Sequence, residues 1–242
     1  MIDIRALSTA GEFADAVELQ KRIWNFADIE LLPVRLFVVA NKVGGHSFGA
    51  FDGGRMVGFL LAIPGIKRGA EGYLHSHMLG VLPEYRDRGL GRLLKLKQRE
   101  DAMARAIDLV EWTFDPLEIK NAFFNMERLG AIVRRYVENQ YGTTSSPLHG
   151  GLPTDRCTAE WFVASDRVKS ILAGNPADHS GVEERIEVPA DIAEIRRTDS
   201  KCAREIQKAV AAQFHRNLDR GLAVIGFERT EKAGVYLLGK LQ

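Results

Sequence analysis

The chain has 242 residues, 45% apolar and 27% charged, with a formal net charge of +1 and two cysteines. That balance argues against nucleic acid as the main partner, and no apolar run approaches the ~20 residues that span a membrane. The length suits one large domain or one and a half small ones.

The first thirty residues carry Asp3, Arg5, Glu12, Asp15 and Glu18, so they do not read as a signal peptide. Cys157 and Cys202 stand far apart without metal-ligand neighbours, which predicts inert thiols in a reducing cytoplasm. Ile2 and Ile4 alternate with Asp3 and Arg5 and predict a strand over 2–7. Ser8 or Thr9 can cap a helix over about 10–25, with Phe13, Val17 and Trp24 near one face. Pro33 can open a second helix, 33–42, which Gly44-Gly45 ends. Strands are expected at 46–52, 55–63 and 72–82, the first two joined by the hairpin signal Asp52-Gly53-Gly54. The segment 64–71 reads as the next turn.

After Gly91 the period changes. Leu93, Leu94, Leu96, Met103 and Ile107 fit a long helix with one apolar stripe. A buried strand at 109–114 stops at Asp115-Pro116, a helix runs over about 117–129 to Gly130, and a strand follows at 131–137. The segment 141–157 is rich in Gly, Pro, Ser and Thr and reads as a loop of a length that is usually functional or disordered. A strand at 158–164 holds Trp161. Beyond Ser165 come a polar stretch, a strand at 184–188, helix signals at 190–219 and strands near 222–228 and 234–239.

The motif with the most chemical content is Leu79-Gly-Val-Leu-Pro-Glu-Tyr-Arg-Asp-Arg-Gly-Leu-Gly-Arg92. A strand ends at Pro83, a charged turn follows, and a helix starts near Gly89 or Gly91. The first amides of that helix have no internal partner and sit at the positive end of its dipole. A pyrophosphate suits such a place, and Arg86, Arg88 or Arg92 can add charge-assisted bonds of roughly 1.5–3 kcal/mol each. A nucleotide-triphosphate loop would need Gly-Lys-Ser/Thr, which is missing. A dinucleotide fingerprint would need Gly-x-Gly-x-x-Gly, of which only Gly89-x-Gly91 is present. Arg-x-x-Gly-x-Gly is matched by Arg86, Gly89 and Gly91. The plain alternative is a glycine-bearing helix start with surface arginines.

In this motif and in element order over about 1–140, the chain resembles the GNAT acyltransferase superfamily. The resemblance implies an α+β fold with a central, mostly antiparallel sheet flanked by helices. The acyl-CoA-binding core is then expected at 1–165, and the elements of 166–242 read as an α+β extension that caps it, half of a pseudo-duplicated fold being the rival arrangement. The resemblance further implies that the strand before the turn splays from its neighbour. Backbone at Leu79, Gly80 and Val81 would then meet the pantetheine arm, while Arg86, Asp87, Arg88, Gly89, Leu90, Gly91 and Arg92 would cradle the pyrophosphate. Asn121 matches an asparagine that often faces CoA. Acetyl-CoA is the default donor and no metal is implied.

His75 and His77, two apart on one strand, should share a face with Tyr73, Leu79 and Val81. Only about 0.1% of a lysine-like amine is neutral at pH 7.4, so a base titrating near 6.5 suits the removal of its proton. The run His75-Ser-His-Met-Leu-Gly-Val81 also resembles the paired-histidine strand of arylalkylamine N-acetyltransferases, which implies a catalytic role. Packed or surface histidines are the alternative. A metal site would need more ligands than His-x-His supplies. Where many relatives have a tyrosine acid, this chain has Met126; Tyr136, Tyr141 and Tyr85 are substitutes the sequence cannot place. A thiol near pKa 8.5 can also leave without a dedicated acid.

On the acceptor side, Trp112 and Asp115 end the strand beside the implied cleft. Asp115 could hold an amine or cap the next helix. Arg156, beside Asp155, could hold a carboxylate of an amino-acid acceptor or of a dicarboxylic acyl group, or form a surface salt bridge. The expected function is acyl transfer to the amine of a small molecule or amino acid, with no nucleic-acid or membrane partner. N-succinyl transfer, a non-catalytic acyl-CoA sensor and an unrelated nucleotide binder are the rivals. The C-terminal extension could complete the site, make a homodimer or regulate.

Overall fold

The computed structural model describes residues 2–67, 69, 71–142 and 151–241. The expected loop at 141–157 therefore lies partly outside the described residues. The chain forms two compact units, Met1–Glu111 and Trp112–Gln242.

In the first unit, β1 (Ile2–Ala6), β2 (His46–Asp52), β3 (Arg55–Ile66) and β4 (Gly72–Val81) pair antiparallel in chain order. β5 (Leu109–Phe114) begins in this unit and runs parallel to β4 through Leu74–Val110 and His75–Glu111. β4 continues for six residues past the second of those pairs. α1 (Ala10–Trp24) starts with the full reciprocal cap between Thr9 and Glu12, and Asn25 ends it in the left-handed region. α2 (Val34–Lys42) follows Pro33, which caps rather than opens it. Phe13 of α1 stacks on Phe37 of α2 at 5.9 Å, and Phe59 of β3 meets Phe37 and Trp24 at 6.1 and 5.9 Å. This aromatic cluster packs one side of the sheet. α3 (Leu90–Ala104) packs the other with Leu90, Leu94 and Ala102 buried.

The second unit orders its strands β7 (Arg156–Phe162), β6 (Ile132–Val137), β9 (Ala223–Arg229), β10 (Ala233–Gly239) and β8 (Val182–Pro189), all antiparallel. α7 (Ser200–Asp219) sets Phe214 between Tyr136 and Tyr236, each at 5.0 Å. The helix signals at 190–219 belong to two helices: α6 (Ile192–Thr198) ends at Asp199, whose side chain restarts the chain as α7 by accepting from Cys202 N–H. The polar stretch after Ser165 contains α5 (Asp166–Leu172), capped by Ser165. The expected 117–129 helix is a short α4 (Ile119–Phe123) followed by a wide turn, in which Leu129 N–H donates to Phe124 C=O across five residues. No helix among the described residues is long and apolar enough to cross a membrane.

Candidate active site

The glycine motif closes β4 and opens α3. Leu82 is buried, and Pro83–Tyr85 forms a single 3-10 turn. The turn is fastened to the β2–β3 hairpin and to α1: Tyr85 Oη donates to Asp52 at 2.8 Å, and Arg55 of β3 and Arg22 of α1 reach Glu84 at 3.1 and 3.3 Å. Arg86 leans back on the carbonyls of Val81 and Ile23, both at 3.4 Å, and Arg88 lies 5.1 Å from the Tyr85 ring. Asp87 and Gly89 then adopt left-handed φ of 58° and 79°. Alternation of this kind turns successive main-chain amides toward one concavity. Gly89 occupies the N-cap of α3, and no side chain caps the helix. A Cβ at Gly89 would meet nothing within 4 Å, so the glycine serves the backbone conformation and leaves open space above it. The exposed turn and the uncapped 15-residue helix fit a diphosphate.

The strand that feeds the turn is irregular at one residue. Ala62 pairs with Ser76 and Leu61 with Met78, so His77 is bulged out of the pairing. Ser76 faces α3, where its Oγ accepts from Lys95 Nζ at 2.9 Å. His75 and His77 face the other way, with ring centroids 5.7 Å apart. Past the bulge the alternation changes phase. A Cβ at Gly91 of α3 would lie 3.6 Å from Leu79 Cδ2, whereas one at Gly80 would strike Trp24 and Ile23 of α1 at 2.7 and 2.8 Å. Leu79 and Val81 therefore do not share the histidines' face, contrary to the simple alternation read from sequence. Gly80 is a packing glycine whose missing side chain admits the end of α1.

Both histidines are partly buried. Burial lowers the pKa of His77, which favours the neutral, proton-accepting ring. Sequence reasoning missed their neighbours. Glu111 stands beside His75 in the parallel register, and registered residues share a face. Its side chain is 4% exposed and is ion-paired with Lys67, whose ammonium lies 5.5 Å from the Tyr73 ring. A lone Glu within an apolar strand was the available signal.

On the α3 side a buried polar chain continues from Ser76. Lys95 also donates to Gln98 Oε1 at 3.0 Å, and Gln98 Nε2 lies 3.0 Å from His46 Nε2. His46 Nδ1 is 2.7 Å from Asp101, which also pairs with Arg105. Burial brings His46 down to about 4 despite Asp101, and burial alone pushes Lys95 well below the ordinary lysine value.

The remaining expected residues belong to the second unit. Asn121 is exposed on α4. Trp112 is buried, packs edge-on against Trp161 at 6.0 Å and donates to Asn125 at 3.3 Å. Asp115 caps the following turn through Leu117 N–H at 2.8 Å and takes a two-point contact from Arg196 at 3.0 and 2.7 Å. Arg156 is the first residue of β7 and is buried; its Nη1 donates to Asp155 C=O at 2.7 Å. Met126 is fully buried. Of the tyrosine substitutes, Tyr136 is buried and bonded to Asp155, and burial raises its pKa far beyond the ordinary range. Tyr141 is half exposed and lies 2.9 Å from Thr113 Oγ1. Among the described residues no group of three His, Cys, Asp or Glu side chains could hold a metal.

The sequence model of the family described as "Acetyltransferase (GNAT) family" matches residues 13–130. No curated protein matches the chain. Among solved structures the fold is similar to the ribosomal-protein-S18-alanine N-acetyltransferase of Escherichia coli, with 18% identity, a TM-score of 0.53 and coverage of 68% of this chain and 96% of that one. It is similar to Arabidopsis thaliana NAA60 in complex with a bisubstrate analogue, with 15% identity, a TM-score of 0.54 and coverage of 67% and 98%. The NatC complex bound to Gag peptide and CoA gives 15% identity, a TM-score of 0.54 and coverage of 66% and 97%. At these identities the likeness concerns the fold; the family match carries the assignment. Residues 13–130 thus carry a GNAT acetyltransferase domain, and that domain makes the chain a transferase.

Proposed function

We propose that the chain transfers an acyl group, acetyl by default, from acyl-CoA to the amine of a small molecule. The observation that carries this reading is the uncapped start of α3, reached through left-handed Asp87 and Gly89 directly after the histidine-bearing strand. The first-turn amides and the nearby arginines would hold the pyrophosphate. The main chain of β4 near Leu79 would polarise the thioester carbonyl. The amine nitrogen attacks that carbonyl carbon, the C–S bond breaks, and CoA leaves as thiolate. The amine proton passes to His77 or His75, directly or through water. With Met126 at the position of the usual tyrosine, thiolate release proceeds without that acid, consistent with a thiol pKa near ~8.5.

Peptide N-termini are the rival acceptors, supported by the S18-alanine enzyme and by the NatC complex with its peptide, whose folds this chain resembles. Arg156 motivates amino acids as acceptors and succinyl as a donor group, though its guanidinium already faces Asp155 C=O and the Tyr141 ring. The test is calorimetric titration with CoA, followed by thiol release from acetyl- and succinyl-CoA across aryl amines, amino acids and short peptides. Turnover on peptides alone would replace the small-molecule reading. CoA binding with no turnover on any amine would make the chain a sensor, and displacement by ATP or NAD but not CoA would remove the acyltransferase reading.

A further inference from the structure

In the second unit α5 turns one face to a cavity of about 290 Å³: Arg167, Ser170 and Ile171, three and four residues apart, all line it. The loop from α5 to β8 adds Asp178 and Ser180, and the residues after β10 add Lys240 and Leu241. Two strands lose register at this rim. β10 passes over Ile225 of β9 between its pairs with Gly226 and Val224, and it passes over Glu183 of β8 between its pairs with Glu184 and Val182. The carbonyl of the bulged Ile225 accepts from Arg167 Nη2, and the carbonyl of Gly130 accepts from Arg167 Nε at 3.2 Å. Two of the three guanidinium nitrogens are thus spent on the main chain, which fixes the group in place. Nη1 makes no hydrogen bond with the described residues and is the nitrogen left for a ligand. Burial lowers the Arg167 pKa and the carboxylates of Glu127 and Asp178 act against it, so the guanidinium stays charged.

The charged lining consists of two cations, Arg167 and Lys240, against the one carboxylate of Asp178. That balance suits a single negative charge, and Asp178 opposes a dianion. Ile132, Ile171, Ile225 and Leu241 supply apolar wall. The volume stands at the low end of the ~300–1,000 Å³ of ligand pockets, which calls for a small molecule. We propose that this cavity binds a small aliphatic carboxylate, with its head group on Arg167 Nη1 and Lys240 and its hydrocarbon against the isoleucines and Leu241. An α-amino acid and the same acid without its amine share that chemistry; Asp178 would hold the ammonium of the former. Every lining residue belongs to the second unit, and the inference is independent of the acyl-transfer reading.

The test uses the full chain and follows its NMR signals during titration with isocaproate, leucine and leucinamide. A carboxylate should shift the Ile171 methyl signals and the Arg167 Nε–H signal saturably, the latter assigned by its loss in Arg167→Lys. Leucinamide has no carboxylate and should leave both in place. Lys240 is exposed, so Lys240→Glu should fold as the wild type does and weaken carboxylate binding by more than about tenfold. Tighter binding of leucine than of isocaproate, with the advantage lost in Asp178→Asn, identifies an amino acid as the occupant. Equal or tighter binding of isocaproate identifies the simple acid. The proposal is overturned by the lack of a saturable shift with either carboxylate at millimolar concentration, by undiminished affinity in Lys240→Glu, or by leucinamide binding as well as leucine.

Discussion

The buried ammonium of Lys95 donates to the hydroxyl of Ser76 at 2.9 Å and ties the middle of α3 to the strand that carries both histidines. From Lys95 the contacts run through Gln98 to His46 and Asp101, so α3 is joined to β4 and to β2 by polar groups that are buried except for Asp101 at the end of the chain. Such a network is costly to leave half satisfied, and its members should titrate together with folding.

His46 gives that expectation a sign. Its folded pKa of about 4 lies below the ordinary 6.5, so between those values the unfolded chain binds more protons than the folded one. Its contribution to stability is present above pH 6.5 and is lost as pH falls toward 4, by about 3 kcal/mol in all. Urea unfolding midpoints at pH 7 and pH 5 should show the decline, and His46→Phe should flatten it. An equal slope in the variant would place the effect elsewhere.

Gly89 should tolerate volume but not charge. With open space above it, Gly89→Ala meets only the cost of a left-handed alanine, roughly 1–2 kcal/mol. Gly89→Glu sets a carboxylate against the phosphates and should abolish CoA binding while leaving the circular dichroism spectrum unchanged. Calorimetry that finds undiminished CoA affinity in Gly89→Glu would count heavily against the placement of the diphosphate.

If His77 accepts the amine proton, its depressed pKa should leave it neutral below pH 6.5. The variant His77→Gln should lower kcat by roughly 10²–10⁴-fold with little change in KM for acyl-CoA. The wild-type acidic limb should fall below the value for a free imidazole. Steady-state rates from pH 5 to pH 9 check both points, and a variant as active as the wild type would leave the role to His75 alone.

In the second unit, Arg196 binds Asp115 with one terminal nitrogen and Glu118 with the other, and Arg196 and Asp115 are both buried. Arg196→Met should cost about 3–5 kcal/mol by removing the buried guanidinium that pairs with Asp115. The double variant Arg196→Met/Asp115→Asn should recover part of the loss, as read from urea unfolding. Full additivity would mean that the pair is not coupled.

The elements of the first unit were legible because each carries a local signal: Thr9 with Glu12 at the start of α1, Asp52-Gly53-Gly54 between β2 and β3, and the change of period after Gly91. What the sequence hid depends on pairing. Nothing local shows that His77 is skipped by β3, so simple alternation puts Leu79 and Val81 on the wrong face. Lys67 and Glu111 are distant in sequence and meet only because β5 lies parallel to β4. α5 was missed because seven residues with two buried positions, Val168 and Ile171, are too few to show a period.

His77 is supernumerary to the hydrogen-bonded ladder: β3 passes from Ser76 to Met78 as its partners without it. Excising it would leave Leu79 toward α3 and Gly80 toward Trp24, since the shortened strand would alternate regularly with the same orientations. The sheet thus bears an imidazole that its architecture does not require. A one-codon deletion of His77 should yield a chain that folds and holds CoA yet has lost that ring, separating chemistry from scaffold more cleanly than a substitution can.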